Sequence, residues 1–378
     1  MSRAIRQLVA RKNLTPGLLT QFLREHEFPI IEEHTATFAF VGEAESVSLR
    51  HWIHGLPASQ PFKRLMGSPL WYHVMDVPEG SRIEYKIEVT QRGQSRWVID
   101  PLNPHQARDP YGANSVLLGP RYEHPTWAEA DKEARTGSIE THRIDSKHLD
   151  GNREFRVYLP ARFRRRRRYP LLVVHDGDDY LRFSNLQTVL DNLIHRLEIP
   201  SMIVALTNPV GRLTEYAAGR AHAAFVAKEL VPWLEDTYPL LEDPAQRGLM
   251  GASFGAVQTL ATALYQPGVF GNLLLQSGSF AFSDIGKHWR GPAFEPVVKF
   301  MNGYRATPKK PAPRAFVSCG MYESLIYENR SMVPLFERTG MNVRYVESRD
   351  GHNWENWRDR LREGLSWLFP GPSLLVYE

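Results

Sequence analysis

The segment Gly251-Ala252-Ser253-Phe254-Gly255 constrains this chain more than any other. A serine with glycines two residues before and two after it has the form G-x-S-x-G. Such glycines suit a sharp strand-to-helix turn, because the serine takes an unfavourable φ/ψ there and side chains at the flanking positions are expected to collide. The neighbours fit that turn. Gln246 to Met250 reads as a short, partly apolar strand, and Val257 to Tyr265 reads as a small-residue helix ended by Gln266-Pro267-Gly268. A turn of this kind lifts a serine hydroxyl above a sheet as a candidate nucleophile; a purely structural Gly/Ser turn is the alternative.

At 378 residues the chain suits two domains. Its 42% hydrophobic and 23% charged residues are ordinary for a globular protein. No stretch approaches the run of about 20 apolar residues that spans a bilayer, so no membrane partner is expected. The first residues show no apolar core and cleavage site of a secretory signal, and a single cysteine, Cys319, excludes internal disulfides. Together these point to a cytoplasmic protein. The net charge of +4 owes much to Arg162 and the run Arg164 to Arg168. With no nucleic-acid motif or interleaved aromatics, that run reads as a solvated turn rather than a nucleic-acid patch.

Residues 1–27 read as short helices, with Ser2 a possible cap for the first and Thr15-Pro16 opening the second. From about Phe28 to Leu118, alternating strands such as Ala36–Val41, Ser46–Trp52 and Arg82–Val89 suggest an all-β sandwich. A charged linker follows to about Arg135, giving a first domain over 28–136. From Gly137 to the end, strands alternate with helices, after a hairpin-like start over Ile139 to Leu159. The strands are Pro170–His175, Met202–Leu206, Asn272–Gln276, Arg314–Ser318 and Asn342–Glu347, most of them near-continuously apolar; helices are expected at Asn185–Leu197 and Ala221–Tyr238. Apolar strands between helices predict an α/β domain with a parallel sheet covered on both faces, and catalytic groups on loops at the strands' carboxyl ends.

Serine needs a base to take its proton, and the base needs a third group to orient it. In α/β-hydrolase folds these follow in the order Ser, acid, His. His352 lies on the loop after the last strand, and Glu323 on the loop after the strand before it. Glu328 and Asp350 are competing carboxylates, though Asp350 is close to His352 in sequence; His175 and His222 lie too early. Oxyanion donors are expected at the Phe254 amide and on the loop His175 to Tyr180, where the Asp178 amide is the candidate. No metal-ligand spacing and no phosphate loop is visible, so no cofactor or metal is implied.

Several pieces carry a family resemblance in their joint order: "FRVYLP" from Phe155, "YPLLVVHDGDDY", "MGASFGA", "LLLQSGSF", "VSCGMYES" and "DGHNWENWRDRL". From about Gly137 to Phe369 the chain resembles the putative-esterase family of α/β-hydrolases, which includes enterochelin (ferric enterobactin) esterases, feruloyl esterases and mycolyltransferases. "LWYHVMDVPEGSRIEYKI" and "DPLNP" resemble the early-set immunoglobulin-like domain that precedes the hydrolase in enterochelin esterases. The resemblance implies Ser253 as nucleophile, His352 as base, Glu323 as acid, and Phe254 and Asp178 as amide donors. Two departures stand out: Ala256 replaces a glycine common in the family, and many relatives carry Asp as the acid. Arg212-Leu213-Thr214-Glu215 is similar to a family R-x-x-E segment. Arg212, Glu215, Tyr180 and Trp354 are thereby candidates for touching substrate.

The expected activity is a serine esterase acting on a small-molecule ester, with a siderophore trilactone implied by the resemblance. A feruloyl- or acetyl-type sugar esterase is the alternative, as is a non-catalytic binding protein on the same fold. The sandwich holds no candidate triad residue, so it is expected to act only through access, binding or stability.

Overall fold

The computed structural model describes residues 3–10, 15–283 and 290–372. The suggested cap Ser2 lies outside them. Two compact units emerge: Met1–His124 together with Gly320–Ser324 and Ser348–Asn353, and the remainder from Pro125 on.

The first unit opens with α1 (Arg3–Val9) and α2 (Pro16–Glu25). Thr15 caps α2, its hydroxyl accepting from the Leu18 amide at 3.3 Å, with Pro16 in the first turn as expected. Ten strands follow: β1 (Ile30–Glu32), β2 (Thr35–Val41), β3 (Ser46–His51), β4 (Ser59–Pro61), β5 (Lys63–Arg64), β6 (Leu70–Asp76), β7 (Arg82–Gln91), β8 (Gln94–Val98), β9 (Gln106–Asp109) and β10 (Gly112–Leu118). They form two antiparallel sheets, β1-β2-β6-β5 and β4-β3-β7-β10-β9, with β8 beside β7. Phe38, Trp71 and Met75 of one sheet meet Val47, Tyr85 and Ile87 of the other in a shared core, which makes the pair a sandwich. The helices are not a separate segment. Ile5, Leu8, Leu19 and Phe22 pack with Ala39, Leu70 and Tyr72 in a second core, so β2 is buried on both faces, without a break from Ala36 to Phe40.

The second unit is built on β11 (Ser138–Ser146), β12 (Gly151–Leu159), β13 (Leu171–His175), β14 (Ile203–Thr207), β15 (Arg247–Ala252), β16 (Asn272–Gln276), β17 (Arg314–Gly320) and β18 (Asn342–Ser348). One eight-stranded sheet runs β11-β12-β14-β13-β15-β16-β17-β18. The hairpin β11–β12 is antiparallel, while β14, β13, β15, β16 and β17 pair in parallel. Alternate residues of β13 show why these strands read as continuously apolar. Leu171 and Val173 enter one core, Leu172 and Val174 the other.

Among the described residues this unit has nine α-helices: α3 (Gly177–Phe183), α4 (Leu186–His195), α5 (Arg212–Glu215), α6 (Arg220–Phe225), α7 (Val231–Thr237), α8 (Phe254–Tyr265), α9 (Glu295–Ala306), α10 (Ile326–Arg338) and α11 (Trp354–Leu368). The single helix expected over 221–238 is interrupted by a π turn at Val226–Leu230, just before Pro232. Proline has no N–H to give the helical ladder, and a π turn is one way the chain accommodates that. The expected domain boundary near 136 also shifts. Trp127 and Ala128 join the second unit's core, and Asn192 Nδ2 donates to the Trp127 and Glu129 carbonyls at 2.8 and 2.7 Å. Among the described residues no helix is long and apolar enough to cross a membrane.

Candidate active site

Strand β15 is wholly buried and ends at Ala252; α8 begins at Phe254. Ser253 joins them with φ 57° and ψ −120°, a conformation that a non-glycine residue holds only when its surroundings enforce it. Its N–H donates to the Gln276 carbonyl at 2.9 Å, pinning the turn to the neighbouring strand β16. The two glycines play unequal parts. A Cβ on Gly251 would lie 2.4 Å from the Gly255 backbone, whereas one on Gly255 would meet Asp176 Oδ2 at 3.3 Å. Only Gly251 is excluded by backbone collision.

The hydroxyl of Ser253 is 3.1 Å from that of Ser279. No motif in the sequence assigns Ser279 a role. Its position on the loop after β16, next in the sheet to the elbow strand, is the signal that could have found it. The Phe254 amide is the first of α8 and one of the first-turn N–H groups that a helix leaves without an internal acceptor. By contrast, the Asp178 N–H donates to Asn208 Oδ1 at 3.0 Å. In this state it is not available to an oxyanion, which corrects the expectation of a preformed second donor there.

On the loop after β17, Glu323 is 2% exposed and accepts from the Gly320 N–H through Oε1 at 2.8 Å. Its Oε2 lies 2.7 Å from His352 Nδ1, on the loop after β18. Facing a carboxylate, Nδ1 is the donor, which leaves Nε2 of the neutral ring as an acceptor. The rival carboxylates are engaged elsewhere. Glu328 pairs with Arg290. Asp350 pairs with Arg82; burial pushes its carboxyl up to about 7, against the opposing pull of Arg82, the Asn353 side chain and the Gly351 amide.

The substrate-contact candidates fare differently. Tyr180 is fully buried, with its hydroxyl on Gln276 Oε1 at 2.7 Å. Trp354, also buried, stacks edge-on against Tyr180 at 5.2 Å and against Trp357 at 4.7 Å. Both rings pack in the core, Tyr180 with no exposed surface and Trp354 with 8% of its surface exposed. Glu215 accepts from Arg153, His222 and the amides of Val210 and Gly211. Burial alone would raise its carboxyl, but the bonds from His222 and the two amides outweigh that and hold it at about 2. Arg212 grips Asp176 through Nε and Nη2, the latter at 2.8 Å, and also donates to the Ala252 carbonyl. The R-x-x-E segment is therefore a brace for the loop after β13 and for the end of the elbow strand. His175 and His222 are buried beside it; burial holds both imidazoles below their ordinary range. Among the described residues no group of three or more His, Cys, Asp or Glu is placed to hold a metal ion.

Comparison with known proteins agrees with this architecture. The family model described as "Putative esterase" matches residues 146–368. An uncharacterized protein of Bacillus subtilis, YjcH, is 32% identical over 243 residues, covering 61% of this chain and 97% of the relative. The iron(III) enterobactin esterase of Escherichia coli O6:H1 is 24% identical, covering 77% of this chain and 72% of that one. Among solved structures, ferric enterobactin esterase from Salmonella typhimurium superposes with a TM-score of 0.73 at 20% identity, covering 90% of this chain and 95% of that one. With its elbow serine at the end of β15 and the family match extending over most of the α/β unit, the chain belongs to the putative esterase family.

Proposed function

We propose that this esterase works through a Ser253–His352–Glu323 triad and hydrolyses a siderophore-type ester. The observation that carries the reading is the strained Ser253 held between β15 and α8, with an ordered His352–Glu323 pair on the loops that follow later strands of the same sheet. A serine held at such a cost fits a nucleophile better than it fits a simple turn.

In this reading Ser253 Oγ attacks the ester carbonyl carbon while its proton passes to His352 Nε2. Glu323 accepts the Nδ1–H bond, which leaves that proton on the ring, and its charge stabilises the imidazolium. The carbonyl oxygen gains the negative charge and is met by the Phe254 amide. The Asp178 amide becomes a second donor only if Asn208 releases it. Collapse breaks the C–O bond to the alcohol, which leaves with the proton from Nε2. Water then repeats the sequence on the acyl-enzyme and releases the acid. The substrate class rests on enterobactin esterases resembling this chain along most of its length, including the N-terminal unit.

The test is hydrolysis by the full chain of p-nitrophenyl butyrate and of a ferric tris-catecholate trilactone, with a feruloyl sugar ester as a third arm. Turnover of the first two is expected. Turnover of the sugar ester in place of the trilactone would move the substrate class, and no turnover of any ester would contradict the reading.

A further inference from the structure

Arg82 opens β7 in the sandwich, and its side chain is 1% exposed. Nη1 donates to Asp350 Oδ1 at 3.3 Å and to Asn353 Oδ1 at 3.1 Å, while Nη2 donates to Glu84 at 3.0 Å. The Arg82 N–H donates to the Arg349 carbonyl at 2.9 Å, and Arg349 Nη1 returns a bond to the Glu79 carbonyl at 2.6 Å. Residues 349, 350 and 353 bracket His352, so the base sits on a loop gripped on both sides. The loop of Glu323 is tied to the same strand entrance. The Ser81 and Tyr322 hydroxyls are 2.6 Å apart, the His54 N–H donates to the Tyr322 carbonyl, and the Tyr322 ring packs on the sandwich core. The two loops also bond each other: the Met321 N–H meets the Ser348 carbonyl at 2.7 Å, and the Tyr322 N–H meets the Asp350 carbonyl at 3.1 Å.

We infer that Arg82, with Ser81 beside it, positions the His352 and Glu323 loops, so the sandwich supplies part of the catalytic framework. This rests on the reading of His352 and Glu323 as base and acid. It replaces the expectation that the sandwich acts only through access, binding or stability. A buried guanidinium is costly unless its donors meet fixed acceptors, and here those acceptors belong largely to the loop that carries the base. Misplacing a proton-transfer group by about 1 Å costs on the order of 10²-fold in rate.

The experiment measures kcat and KM for p-nitrophenyl butyrate with the full chain, alongside thermal melting, for Arg82→Met, Arg82→Lys, Tyr322→Phe and His352→Ala. Arg82→Met should lower kcat by about 10²-fold with KM within about twofold, and Arg82→Lys should recover at least about tenfold of that loss. A purely structural role would lower the melting temperature and leave kcat per folded molecule unchanged; that result overturns the inference. Should Arg82→Met fail to fold because Asp350 and Glu84 lose their partner, Tyr322→Phe carries the test. It removes one hydroxyl and should still lower kcat by roughly 3- to 10-fold with little change in KM; wild-type kcat there overturns the inference. Full turnover in His352→Ala overturns both this inference and the triad, whereas its loss alongside unchanged kcat in the Arg82 and Tyr322 variants overturns this inference alone.

Discussion

His352 donates from Nδ1 to Glu323 Oε2 across 2.7 Å, while the other oxygen of the same carboxylate is held by the Gly320 amide. One oxygen thus fixes the carboxylate to its loop and the other fixes the ring. Glu323→Gln keeps the shape but removes the charge that stabilises the imidazolium. It should lower kcat on the order of 10²–10⁴-fold with little change in KM. Glu328→Gln breaks the buried pair with Arg290 and should lower thermal stability while leaving kcat near wild type. Steady-state kinetics and melting curves on the two variants check this, and the reverse pattern would move the acid to Glu328.

Gly251 and Gly255 should respond unequally to a single methyl. Gly251→Ala forces a Cβ into the Gly255 backbone at 2.4 Å, so the elbow must deform. Its cost should be on the order of 2–4 kcal/mol, with activity lost beyond that. Gly255→Ala meets only the Asp176 carboxylate at 3.3 Å and should stay folded with at least about a tenth of wild-type kcat. Chemical denaturation of the purified variants separates the two outcomes.

Glu215 offers a test against pH. Its folded-state carboxyl is held at about 2, below the ordinary value of 4.5, and its side chain is 12% exposed. A depressed carboxylate stabilises the fold above its unfolded value, and that contribution is lost as pH falls through the folded one. A shift of this size corresponds to roughly 3 kcal/mol. Glu215→Gln should therefore be less stable than wild type from about pH 5 upward, with the gap closing towards pH 2. A gap that does not vary with pH would assign the loss to packing alone.

What was legible in the sequence follows from how local each constraint is. The elbow at Ser253 is dictated by φ/ψ within five residues, so its glycines announce it. Strands β13 to β17 are buried on both faces, and an unbroken apolar run such as Leu171–Val174 has little other reading. For Tyr180 and Trp354 the sequence is ambiguous, because an aromatic beside such a loop reads alike whether its ring faces a ligand or the core; tertiary packing buries both. The Asp178–Asn208 and Arg82–Asp350 bonds join residues 30 and 268 positions apart, and one sequence carries no signal for such partners. Pro232 is plain in the sequence, but whether it kinks, ends or π-bulges a helix depends on what packs around it.

Turnover by the triad route requires that Ser253 becomes acylated. Brief exposure of the full chain to a fluorophosphonate, followed by peptide mass mapping, tests it most directly. The expected result is one adduct, on Ser253, with p-nitrophenyl butyrate turnover lost in proportion to labelling; Ser253→Ala should take no label and fall in kcat by about 10⁴-fold or more. Labelling at another residue, or a Ser253→Ala protein that keeps a tenth of wild-type turnover, would contradict it.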